Sequence, residues 1–228
     1  MLTYRRTLAA STLAVAALLT TACTPGTGGP GDGGGAGGRP AARGTALAAV
    51  DTLTVKGRAP KTGYEREKFG RAWVDVDGNG CGTRDDILKR DLTGVRFTDG
   101  HCKVASGTLT DDPYTGTTVR YVRGRSKVDI DHVVALSDAW QKGAQKWDGE
   151  TRRRFANDPL NLLAVDSATN RRKSDGDAAT WLPPNGAYRC TYVARQIAVK
   201  KKYGVWVTAG ERDAMKRVLG ACPQQKLP

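Results

Sequence analysis

The chain has 228 residues, 39% of them hydrophobic, with five Trp and seven Tyr, so one globular domain with a sizeable core plus some unstructured sequence is expected. Its formal net charge is +13 and its pI about 9.8, which favours a polyanionic partner: nucleic acid, acidic cell-wall polymer or anionic membrane. Net charge describes non-specific attraction, so any site must be argued from particular residues.

Residues 1–22 read as an export signal. Arg5 and Arg6 form a short basic start, residues 8–19 are an apolar run too short to span a bilayer as a stable helix, and Thr20-Thr21-Ala22 sets small residues before Cys23. The pattern resembles a bacterial lipoprotein signal with Cys23 as the lipidated first residue. Thr20 departs from that pattern, and ordinary signal-peptidase cleavage is the alternative. Residues 23–44 form a Gly-rich tether that can bury nothing to offset its ordering entropy. Residues 45–228 remain as the folded domain, expected outside the cell and held to the outer face of the membrane by the lipid.

Residues 45–60 lead in as a strand or short helix. Residues 64–73 alternate charged and aromatic side chains and predict a helix, and residues 85–90 a short one. Residues 104–109 and 117–122 are rich in β-branched side chains and flank the turn Asp111-Asp112-Pro113-Tyr114-Thr115-Gly116. Residues 128–134 predict a strand. Leu136, Ala139, Trp140, Ala144 and Trp147 fall at helical spacing over residues 136–147. A short apolar strand follows at 160–165, then a helix over about 192–202. A last helix runs from Thr208 to about 219, where Thr208-Ala209-Gly210-Glu211 has the form of a capping box. The mixed order, without a βαβ rhythm, predicts an α+β fold.

Beyond Cys23 the chain has four cysteines, Cys81, Cys102, Cys190 and Cys222, and an even count in an exported chain points to two disulfides. Three connectivities are open. Cys81–Cys102 with Cys190–Cys222 is preferred because each pair closes a short local loop. A four-thiolate zinc site is disfavoured by the lack of any Cys-x-x-Cys pair.

The chain contains two histidines. His101 lies beside Cys102 in a Gly-containing turn and reads as a surface residue. His132 ends the strand-like segment Val128-Asp129-Ile130-Asp131-His132, in which alternation sets Asp129 and Asp131 opposite Ile130. A carboxylate beside an imidazole suits metal-assisted hydrolysis, one group holding a cation while the other accepts a proton from water. By itself such a pair also fits a structural histidine. Two downstream segments add weight. Asn161 sits inside the apolar run Leu160-Asn161-Leu162-Leu163, and Asn170 opens the basic run Asn170-Arg171-Arg172-Lys173. A buried asparagine is costly unless bonded, and an amide oxygen is a good neutral ligand for a hard cation.

Asp131-His132, then Asn161-Leu162, then Asn170-Arg171-Arg172-Lys173 resembles the HNH endonuclease pattern. The wider segment Asp131-His132-Val133-Val134-Ala135-Leu136-Ser137-Asp138-Ala139-Trp140 is similar to a secreted actinobacterial branch related to the C-terminal domain of GmrSD-type restriction endonucleases. The likeness covers roughly residues 64–222 and is most specific over 131–175. It implies a ββα-metal core: a two-stranded hairpin and a helix clasping one divalent ion, with Mg²⁺ expected and Mn²⁺ as the alternative. It implies His132 as general base, Asp131 and Asn170 as metal ligands, Asn161 as the brace of the loop carrying the base, and Lys173 as a basic group near the scissile phosphate. Asp129 is a further candidate ligand or orienter of the base. Arg171, Arg172 and Lys173 are candidate phosphate contacts, which position a duplex without reading its sequence. No recognition module is evident, so little sequence specificity is expected, and no obligate protein partner.

Asp75-Val76-Asp77-Gly78-Asn79-Gly80 begins like a calcium loop with Asp75, Asp77 and Asn79 as ligands. The acid expected to close the loop falls on Asp86, which is short, so a polar turn leading into Cys81 is the preferred reading. Two other functional readings stay open. One is a non-catalytic basic lipoprotein that binds nucleic acid or acidic wall polymer. The other is a different hydrolase, such as a wall amidase, which usually needs more histidine ligands than this chain has.

Overall fold

A computed structural model describes residues 42–228; the signal-like segment, Cys23 and nearly all of the Gly-rich tether lie outside the described residues. The fold is α+β, with two small antiparallel sheets set among helices. Among the described residues no helix is long and apolar enough to cross a membrane.

Helix α1 (Ala46–Val50) opens the domain, capped by the Thr45 hydroxyl, and buries Ala46, Ala49 and Val50. Residues 64–73 do not form the expected helix. Only a 3₁₀ turn, Arg66–Phe69, appears; no side chain caps its start, and it ends at Gly70 once Phe69 has turned into the core. Helix α2 (Thr83–Asp91) extends beyond the residues 85–90 read from the sequence, and leads into β1 (Thr93–Phe97). Strand β1 carries no clear alternation of burial, which explains why the pattern did not announce it. It pairs with β2 (Val104–Leu109), which pairs in turn with β3 (Val119–Val122).

The second sheet has two strands, β4 (Val128–His132) and β5 (Leu162–Asp166), paired antiparallel with Asp131 opposite Leu163 and His132 opposite Leu162. They are not joined by a tight hairpin. Helices α3 (Leu136–Gln141) and α4 (Gly149–Ala156) are inserted between them, and α5 (Ser167–Lys173) follows β5 directly, started by the Asp166 side chain on Thr169 N.

The single helix expected over 136–147 is therefore broken. The chain turns at Gly143 with φ 128°, a conformation that an L side chain rarely adopts, and a Cβ there would lie 3.2 Å from the Trp206 ring. Beyond the break stand a 3₁₀ turn, Ala144–Lys146, and then α4, capped by Asp148.

Helices α6 (Arg189–Tyr203) and α7 (Ala209–Gly220) pack with α1 around Tyr192, Val193, Ile197, Met215 and Leu219. The Thr208 hydroxyl accepts from Glu211 N at 3.1 Å, one half of the expected capping box. The other half is missing because the Glu211 carboxylate turns inward to Lys142 and Lys200.

The disulfides are Cys81–Cys102 and Cys190–Cys222, with Cα atoms 5.2 and 6.4 Å apart. The first staples the start of α2 to the β1–β2 turn, where His101 is exposed. The acidic loop before it closes on itself: Asp75 accepts from Gly78 N at 2.7 Å and Gly80 N at 2.8 Å, and Asn79 Nδ2 donates to Asp77 and Asp86.

Candidate active site

The site forms where β4 ends. Val128 and Ile130 enter the apolar cluster with Leu162 and Ala164, which anchors the strand and fixes where its last two residues lie. Asp131 and His132 are both buried, at 6% and 7% exposure. His132 Nε2 is 2.8 Å from the carbonyl of Ala156, at the end of α4. A carbonyl can only accept, so Nε2 carries the ring hydrogen and donates it, which leaves the Nδ1 lone pair free to take a proton. Burial lowers the imidazole pKa to about 3, the charges of Arg66 and Lys173 add to that effect, and the bond to Ala156 opposes it. The ring is neutral at pH 7.

Asn161 is fully buried just before β5. Its carboxamide spans both backbone groups of Val134: Oδ1 accepts from Val134 N at 2.8 Å and Nδ2 donates to Val134 O at 3.2 Å. Val133 N donates to the Asn161 carbonyl at 2.8 Å. Three bonds from one residue thus hold the turn that leaves His132.

A cleft of about 470 Å³ opens beside these groups, lined by Asp129, Asp131, His132 and Asn170, with Asp175 and the cations Lys61, Arg66 and Arg84 also on its walls. The residues read from distant parts of the sequence as base and ligands therefore share one cavity. Asn170, on α5, donates from Nδ2 to Asp129 Oδ2 at 3.4 Å. Arg171 and Arg172 are exposed, and Arg172 bonds the Thr169 hydroxyl at 2.7 Å.

Lys173 corrects an expectation. It was read as a phosphate contact, but it is 2% exposed. Its ammonium is committed to Asp131, at 3.0 Å from Oδ1 and 2.9 Å from Oδ2, and to the His132 carbonyl at 2.9 Å. A cation so enclosed acts on the carboxylate and cannot reach out to a nucleic acid.

Tyr114 completes this arrangement, although its polar turn carries no local signal of such a role. The turn that carries Tyr114 is tied down by Asp112, which accepts from Thr115 N at 2.8 Å and from Asp166 N at 2.9 Å. The ring is fully buried and its hydroxyl donates to Asp131 Oδ2 at 2.5 Å. Burial pushes the tyrosine hydroxyl well above its ordinary range, and the Asp131 charge adds to this, so it remains a donor. Burial also pushes the Asp131 carboxyl up, while Lys173 and Tyr114 pull it back.

Among the described residues no group of three or more His, Cys, Asp or Glu side chains is gathered closely enough to hold a metal ion by itself. The cleft does gather the carboxylates of Asp129, Asp131 and Asp175 and the amide of Asn170, all hard oxygen donors. That set fits Mg²⁺, which keeps several waters and is commonly held through one or two carboxylates.

Residues 82–218 match the family model described as GmrSD restriction endonucleases, C-terminal domain, a span that contains β4, β5, α5 and every residue of the cleft from Arg84 to Asp175. An uncharacterized secreted protein of the fungus Arthroderma benhamiae is 41% identical over 180 residues, covering 78% of this chain and 85% of that protein. The chain belongs to the family of GmrSD restriction endonuclease C-terminal domains.

Proposed function

We propose that the protein is an extracellular HNH-type endonuclease, dependent on one divalent metal ion, that hydrolyses phosphodiester bonds of DNA with little sequence specificity. RNA is a substrate that the same chemistry admits. The observation that carries this reading is the neutral His132, oriented by the Ala156 carbonyl, in the cleft that also holds Asp129, Asp131 and Asn170. Strand β4, strand β5 and α5 follow one another in the ββα order, with α3 and α4 as an insertion between the strands.

In this mechanism His132 Nδ1 takes a proton from water as the oxygen attacks phosphorus in line, and the bond from phosphorus to the 3′ oxygen breaks. Asp131 and Asn170, with Asp129 beside them, would hold the Mg²⁺ or Mn²⁺. When bound, the ion supplies Lewis-acid stabilisation of the charge that grows on phosphate and leaving oxygen. Lys173 and Tyr114 position Asp131, and Asn161 positions the turn behind the base. Arg66, Arg84 and Lys61 in the cleft, with Arg171 and Arg172 on the exposed surface of α5, offer phosphate contacts that read no sequence.

The name of the fungal relative supports an extracellular location, as does the export-like pattern of residues 1–22. Lipid attachment at Cys23 rests on that pattern alone. Membership of the actinobacterial branch rests on the 131–140 segment, and the relative at 41% identity is fungal.

The test is nicking of supercoiled plasmid by the purified protein with Mg²⁺, with and without EDTA, alongside His132→Ala. Cleavage that needs metal and falls about 10²–10⁴-fold in the variant is expected. Equal cleavage by both proteins removes His132 from the mechanism. Tight binding without metal-dependent cleavage by the parent returns the protein to the alternative of a basic, non-catalytic binder.

A further inference from the structure

A second cavity, of about 370 Å³, also borders His132. Its walls are Phe69, Trp73, Leu136 and Ala156, and its charged lining is Arg66, Glu67 and Arg71. His132 and Arg66 line both this cavity and the cleft, so the two adjoin at the proposed general base. Trp73 also faces both, with its ring nearly parallel to the His132 ring (19°, centroids 6.3 Å apart).

Trp73 is held in an unusual conformation. Its φ is +60°, which is rare for a bulky side chain and persists only where the surroundings enforce it. They do so here. A Cβ on Gly82 would meet the Trp73 carbonyl at 2.9 Å, so only glycine allows the chain to pass so closely. The Thr83 hydroxyl bonds the Val74 carbonyl, and the Arg84 guanidinium lies 5.7 Å over the Trp73 ring. The local fold accepts strain in order to present an indole beside the base.

We infer that this cavity is a subsite for one unpaired nucleobase of the nucleic-acid substrate, next to the phosphate being cut. The inference rests on the nuclease reading above. A cavity of this size lies at the small end of the range for small-molecule sites, roughly 300–1,000 Å³, and its apolar lining with few polar groups suits a flat aromatic ring. The two arginines match the charge of the adjoining backbone. Stacking on an indole is tolerant of base identity, because every base has a π-face. A base bound here must leave its helical stack, so the site selects single strands, frayed ends and distorted duplexes.

The experiment uses single-stranded oligonucleotides with one abasic residue moved through each position within two nucleotides of the main cut, compared with the unmodified strand. At one position the abasic residue should lower kcat/KM by about tenfold or more. Trp73→Ala should abolish that discrimination, and Trp73→Phe should keep most of it. In EDTA, which stops turnover, 2-aminopurine at the same position should be quenched by the parent and not by Trp73→Ala. Cleavage that ignores the abasic residue at every position overturns the subsite and leaves the nuclease reading standing. Discrimination that survives Trp73→Ala also overturns it. If no oligonucleotide is cut while supercoiled plasmid is nicked, the subsite is overturned and the nuclease reading stands; if neither is cut, the nuclease reading fails, and the 2-aminopurine titration still decides the subsite separately.

Discussion

Lys142 and Lys173 are both buried lysines paired with aspartates, yet their surroundings differ in kind. Lys142 lies in a closed network with Lys200, Arg58, Asp138, Asp177 and Glu211. Three cations meet three anions, and all but Arg58 are shielded from solvent. Burial alone would lower the Lys200 pKa, but Asp138 and Glu211 overcome it and raise the value. Asp177 falls to about 2, burial being outweighed by Lys142 and Arg58. Lys173 pairs with Asp131 at the edge of an open cleft, where Asp129 and Asn170 add oxygen and a neutral imidazole stands alongside. The first region balances its charges internally and has nothing left to offer a ligand. The second keeps donor oxygens and a basic nitrogen facing a cavity. Buried charge therefore borders a candidate site here only where the cluster stays open.

The most forceful way to break the comparison is Glu211→Ala. It leaves Lys142 and Lys200 sharing two carboxylates with Arg58, and should cost about 3–5 kcal/mol, the usual penalty for an uncompensated buried charge. Urea unfolding measures the loss, and cleavage per folded molecule should change little. A cost near zero would mean that the network contributes nothing to stability.

Asn161→Ala acts on the open region instead. It strips the partners from both backbone groups of Val134 and should cost about 1–3 kcal/mol. Because the same bonds hold the turn behind His132, plasmid nicking should slow as well. Lost stability with unchanged nicking would separate Asn161 from the base.

The smallest effect sharpens the comparison through pH. His132 has a folded pKa near 3, and its ordinary value is 6.5. Between those values the unfolded chain binds a proton that the folded chain refuses. The stability from this group is thus complete above about pH 6.5 and is lost as the pH falls toward 3, at about 1 kcal/mol per pH unit. Urea unfolding at pH 6 and pH 5 should show the parent losing about that much more than His132→Asn. Parallel losses would show that His132 is not the buried neutral group described.

Much of the molecule was legible locally. The alternation through Val128-Asp129-Ile130-Asp131 marked β4, the β-branched run marked β2, and loop length favoured the observed disulfide pairs. The resemblance carried by His132, Asn161 and Asn170 pointed to residues that do lie in one region. Less legible was what each charge would do once folded. Lys173 sits in a basic run that looks solvated, and Tyr114 sits in a polar turn. Neither neighbourhood reveals a partner about 17 or 42 positions away on β4. Helix periodicity over 136–147 was real, but Gly143 broke it to let Trp206 pack and Lys142 turn inward.

Strand alternation, caps and cysteine spacing are short-range properties, so the sequence by itself marked most of the elements and favoured the disulfide pairs that form, while its likeness to a known family named the candidate base and ligands. Which lysine faces a phosphate and which is buried, where a tryptophan is strained against a histidine, and whether a carboxylate caps a helix or joins an ion network were decided only by the tertiary structure. The reason is physical: the free energy of a buried charge or ring depends on groups brought to it from distant parts of the chain, as when Arg58 meets Asp177 across 119 positions.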